Sequence, residues 1–140
     1  MTFDSLSGGL INVLIDPTGV DASNTWQWDG TKWRPLGSAT RGLFTKGPPM
    51  AMDQPSNRLV LFDGPECGSG GCLSRTWTWD GRTWILQQQA HTPGQPVGMV
   101  TDPHSGRALL LAGRSDAVGL EALWTWSGDD WIRLGVPISK

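Results

Sequence analysis

The chain has 140 residues, enough for one domain or one piece of a larger one. Its 11 Lys+Arg stand against 13 Asp+Glu, and a net charge of −2 gives no electrostatic case for nucleic acid or an anionic membrane as partner. The counts of 19 Gly, 10 Pro and 9 Trp, with no Tyr and Glu only at Glu66 and Glu121, argue against a helical bundle and for an all-β chain. No apolar run is long enough for a transmembrane helix, and no signal-peptide core follows Met1, so the sequence does not specify a compartment.

Taken in chain order, the segments form three units. The first begins with Met1-Thr2-Phe3-Asp4, turns through Ser5–Gly9, and continues as an apolar strand from Leu10 to Ile15. A loop leads to Trp26-Gln27-Trp28-Asp29-Gly30-Thr31-Lys32-Trp33. The second unit repeats this with Met50–Asp53, Leu59–Phe62 and Trp77, Trp79 and Trp84. The third uses Met99–Asp102, Ala108–Ala112 and Trp124, Trp126 and Trp131. Every Trp of the chain falls in this W-x-W-x4-W pattern, and the three triplets start 51 and 47 residues apart. A repeat of this length predicts an array of like supersecondary units, here four short strands each, over approximately 1–37, 48–88 and 97–136. Asp-Gly between two strands predicts a hairpin. A two-residue loop would set Trp26 opposite Trp33, and a four-residue loop would set Trp28 opposite Trp33. Either register puts all three Trp on one face. The second strand of units two and three is apolar on both faces, which predicts a strand covered on both sides.

These units resemble kelch-type β-propeller blades of galactose-oxidase-like central domains. The resemblance rests on an aromatic-Asp pair followed by a Trp, as in Trp28-Asp29 with Trp33 and Trp79-Asp80 with Trp84. Unit three carries Trp126-Ser127 with Trp131 and lacks the Asp. The Gly-Gly doublet of the family is replaced by Asp16-Pro17, Asp63-Gly64 and Ala112-Gly113. Asp80-Gly81-Arg82-Thr83-Trp84 is also similar to a shortened Asp-box, the structural hairpin of sialidase-type propellers. The resemblance implies an all-β propeller with three four-stranded blades in this chain. Closed propellers have four to eight blades. Three therefore call either for a homodimer that completes a six-bladed ring or for a larger propeller of which this is a fragment. Met1 falls inside the first strand, which leans towards the fragment.

Catalysis has little support. Galactose-oxidase-like copper chemistry needs Tyr ligands and sialidase-like chemistry a Tyr nucleophile, and the chain has no Tyr. His91 and His104 are lone loop histidines. Asp16, Asp21 and Asn24 lack the spacing of a calcium loop. Asp4, Asp53 and Asp102, spaced 49 residues apart, read as caps of their own turns. Cys67 and Cys72 have no further ligands for a metal site, and the glycines between them would let a disulfide close. Identical placement in three units makes Trp26, Trp28, Trp33, Trp77, Trp79, Trp84, Trp124, Trp126 and Trp131 packing residues rather than sugar platforms. No metal or cofactor is expected. The resemblance implies partner contacts from the loops at one rim: 16–24, 37–49, 64–74, 87–96 and 113–122. Their candidate contact residues are Arg41, Lys46, Glu66, His91, Arg114 and Asp116. The expected function is a non-catalytic binding or scaffold module for a protein or glycan, closing by homodimerisation. The alternative is a non-catalytic portion of a larger secreted, galactose-oxidase-like or glycan-acting propeller protein.

Overall fold

The computed structural model describes residues 1–5, 7–15, 23–40, 47–113 and 120–135. Among them are twelve strands and no helix, so no helix is long and apolar enough to cross a membrane. The strands form three four-stranded antiparallel sheets, each a meander in chain order. The first contains β1 (Thr2–Asp4), β2 (Gly9–Ile15), β3 (Ser23–Trp28) and β4 (Trp33–Thr40). The second contains β5 (Met50–Asp53), β6 (Arg58–Gly68), β7 (Gly71–Trp79) and β8 (Trp84–Leu86). The third contains β9 (Gln95–Thr101), β10 (Ala108–Gly113), β11 (Leu120–Trp126) and β12 (Trp131–Gly135).

The turns explain the repeat. The first two strands of each sheet are joined at Asp4, Asp53 and Asp102, and a left-handed residue precedes the return strand each time. These residues are Gly8 (φ 69°), Asn57 (φ 58°) and Gly106 (φ 73°), types that tolerate this conformation. The Trp hairpins take the four-residue loop, not the two-residue one. Trp28 pairs with Trp33, Trp79 with Trp84 and Trp126 with Trp131. The reason is local. Asp29 Oδ1 accepts from the backbone N–H groups of Thr31 (2.9 Å) and Lys32 (3.0 Å), and Asp80 Oδ1 does the same for Arg82 and Thr83. A carboxylate that closes its own turn satisfies two donors, which a two-residue loop would leave to solvent. Ser127 takes over this role in the third hairpin, its Oγ accepting from Asp130 N.

The second connection of the second sheet is an arm rather than a loop. β6 and β7 stay paired up to Gly68 and Gly71, and Cys67 and Cys72 face each other and are disulfide-bonded. The pairing of Glu66 with Leu73, Cys67 with Cys72 and Gly68 with Gly71 continues the strands past the point where the glycines suggest a loop.

The sheets pack face to face. The Trp-bearing face of the second sheet lies on the first: Met50, Met52, Leu59, Leu61, Trp79 and Trp84 enclose a core with Ile11 and Val13. The Trp-bearing face of the third lies on the second in the same way, where Ala108, Leu110, Trp126 and Trp131 meet Ala51, Val60 and Phe62. β6 is thus covered on both sides, as its two-faced apolar sequence requires. β5 lies against both β1 and β9. Within each Trp hairpin, the facing indoles pack with centroids 5.2–5.6 Å apart.

Trp33, Trp84 and Trp131 occupy one position in the repeat, yet Trp84 is 6% exposed and Trp33 38%. Replacing Trp84 by Ala should therefore cost about 3–5 kcal/mol in urea unfolding. Trp33→Ala should cost about 1–2 kcal/mol. Equal losses would contradict the one-sided packing.

Candidate functional site

Each joint between sheets carries the same polar tie. Trp84 Nε1 donates to Thr25 Oγ1 at 2.7 Å, and Trp131 Nε1 donates to Thr76 Oγ1 at 2.9 Å. Both hydroxyls are fully buried. Thr25 and Thr76 each stand one residue before the first Trp of their triplet, and the indoles are the third Trp of the next triplet along the chain. The Trp residues are placed by packing, while the bond fixes the rotation of one sheet on the next.

Asp53 makes a second tie. Its carboxylate caps its own turn, with Ser56 Oγ at 2.6 Å, and also reaches the third sheet. There Ala108 N donates to Oδ1 (3.0 Å) and Arg107 Nη1 to Oδ2 (3.3 Å). Thr101 Oγ1 adds a bond to Met52 O at 2.6 Å. The turn-cap reading of the repeated Asp holds for Asp53 and Asp102, but it misses the inter-sheet tie of Asp53. The available signal was the basic residue at Arg58 and Arg107, each across the turn from one of these acids.

His91 lies in the connection from β8 to β9. Its Nδ1 is 2.7 Å from Asp130 Oδ2, while Ala90 N and His91 N both donate to Asp130 Oδ1. The His91 ring and backbone donors hold the Asp130 carboxyl well below its ordinary value, at about 2. This pair fastens the connection to the β11–β12 turn.

The arm borders an open groove of about 480 Å³ lined by Leu73, Ser74, Arg75, Leu86, Gln87, Gln88, Gln89 and Thr92. Gln87 is anchored at this groove, its Nε2 donating to Thr78 Oγ1 (2.8 Å) and its backbone N–H to Thr76 O (2.9 Å). Side-chain amides and two hydroxyls next to two leucines can hydrogen-bond and pack a polar ligand with some apolar surface. Glu66 is exposed on β6 opposite Leu73, at the same arm. Of the other candidate contacts, Arg41, Lys46, Arg114 and Asp116 lie outside the described residues, as do Asp16 and Asp21. Asn24 is on β3. Among the described residues, no three His, Cys, Asp or Glu side chains gather where a metal ion could sit.

The latch and the arm can each be tested. Because the Asp130 carboxyl titrates below its unfolded value of 3.8, its contribution is present above about pH 4 and is lost as pH falls towards 2. Asp130→Asn should lack this part of the acid loss, read as the urea midpoint at pH 6 against pH 2.5. An unchanged acid slope would contradict the assignment. The Cys67–Cys72 bond closes only the arm. Cys67→Ser with Cys72→Ser should raise amide exchange over 65–75 and lower global stability by less than about 1 kcal/mol. A global loss above about 2 kcal/mol would show that the arm is part of the core.

Compared with family models, curated proteins and solved structures, the chain finds no match.

Proposed function

We propose that this chain is a non-catalytic binding module of kelch-like propeller type, whose three sheets are consecutive blades and whose ligand seat is the groove beside the Cys67–Cys72 arm. The observation that carries the blade reading is the joint itself. The same indole-to-threonine bond recurs between successive sheets, with the first strands side by side and the Trp hairpins away from them. An identical joint used twice is what an array of like units requires.

The binding reading is supported by where the chemistry lies. The acids repeated in the sequence are spent on turns and joints, and His91 is spent on Asp130. The groove has varied polar side chains on a rigid scaffold, the arrangement that suits recognition. Its amides and hydroxyls favour ligands rich in hydroxyl or carbonyl groups, a glycan or an extended peptide.

The test is a paired screen of immobilised glycans and peptides against the full chain, repeated with Gln88→Ala and Gln89→Ala. A ligand bound at micromolar strength and weakened about tenfold or more by these changes is expected. Binding that ignores both substitutions, or turnover of a bound glycan, would contradict the proposal.

A further inference from the structure

The outer face of the third sheet is covered by no described residue. It presents Val100, Leu109, Leu111, Leu123, Ile132 and Leu134, with Val100 at 63% exposure and Ile132 at 52%. A groove of about 310 Å³ runs between β9 and β11 over Leu109 and Leu111. In register, Val100, Leu109, Leu111 and Leu123 stand where Ala51, Val60, Phe62 and Thr76 stand on the second sheet, while Ile132 matches Ile85 at the margin of that joint. There the third sheet seats its Trp face and buries Ala51, Val60, Phe62 and Thr76. The face is therefore built as one half of a further joint. An exposed apolar sheet face of this kind marks an interaction surface.

The Trp face of this chain's own first sheet is the obvious cover, and it fits poorly at three points. Asn12 pairs with Trp26 where the other sheets put the fully buried Leu61 and Leu110. A second copy seated here would bury that amide against leucines. Leu123 stands where the second and first sheets have Thr76 and Thr25, so the Trp33 indole N–H would lose its acceptor. Gly9 stands where Arg107 reaches Asp53, so Asp102 would meet no guanidinium. Nor could a side chain be placed there, since a Cβ on Gly9 would lie 2.7 Å from Trp28 O.

We propose that the outer face of the third sheet docks a like antiparallel sheet that is not supplied by a second copy of these 140 residues. Its complement carries an apolar residue where Asn12 stands and an apolar residue without an N–H donor where Trp33 stands. It also carries an arginine within reach of Asp102. The inference rests on the reading of the sheets as an array that continues. It does not involve the groove beside the arm, so the ligand screen and the docking test can fail separately.

A surrogate for the partner sheet can be made on this chain. Asn12→Leu with Trp33→Phe gives the first sheet the two apolar features, at positions that are half-buried and partly exposed. Sedimentation then compares wild type with this variant, each with and without Val100→Asp, which places a charge on the exposed outer face where the second sheet buries Ala51. Near-UV circular dichroism and urea unfolding of each protein establish that all four are folded. Asn12→Leu alone serves if the double change is not. The expected result is Val100→Asp-sensitive association of the surrogate at concentrations about tenfold or more below any shown by wild type. Wild type that self-associates through this face as tightly as the surrogate would overturn the proposal. So would a folded surrogate with no association sensitive to Val100→Asp.

Discussion

The fold depends on one contact: the Trp face of a sheet laid on the plain face of the sheet before it, pinned by an indole N–H on a buried threonine hydroxyl. An antiparallel meander of four short strands has two faces and cannot bury both alone. Here the second sheet buries both, with Leu59 and Leu61 on one side and Val60 and Phe62 on the other. The bonds from Trp84 to Thr25 and from Trp131 to Thr76 leave neither the donor nor the hydroxyl unpaired in a dry joint. Their worth lies as much in register as in energy. A sheet slid along its neighbour would lose the bond and the fit of its side chains into that face.

Function depends on the surfaces this packing leaves over. Packing consumes the Trp residues of the second and third sheets, turns and joints consume Asp53 and Asp102, and the latch on the β8–β9 connection consumes His91 and Asp130. Among the described residues, the arm beside its groove of amides remains, with the two end faces of the stack. The first suits the proposed ligand, and the second suits further sheets. The two ends differ chemically. The first sheet shows indoles around Asn12, while the third shows aliphatic side chains around Leu123. A stack whose ends are unlike extends in a directed way, and the side chains at each end specify the sheet that can dock there.

The sheets themselves were legible in the sequence, because Trp spacing, Asp-Gly turns and apolar second strands are local signals that repeat three times. The hairpin register was not. It depends on the Asp29 and Asp80 carboxylates closing four-residue turns, a competition between side-chain and backbone bonds that composition does not reveal. The arm was hidden because glycines around Cys67 and Cys72 read as a loop, whereas cross-strand pairing carries the strands through. The tie from Asp53 to Arg107 and Ala108 spans two sheets and leaves only a faint trace, the recurrence of Arg58 and Arg107 across from an acid. The departures at Gly9, Asn12 and Leu123 are visible as letters but gain meaning only once their equivalents are seen buried. Arg41, Lys46, Arg114 and Asp116, named from loop position, lie outside the described residues.

The reading of the three sheets as one array requires that the two joints be equivalent. The most direct measurement is a pair of double-mutant cycles in urea unfolding, Trp84→Phe with Thr25→Val and Trp131→Phe with Thr76→Val. Both cycles should return coupling energies of like sign and size, about 0.5–1.5 kcal/mol, since each removes one buried hydrogen bond in the same setting. Coupling near zero in both, or in one alone, would mean that the indole-to-threonine bond does not hold the sheets together.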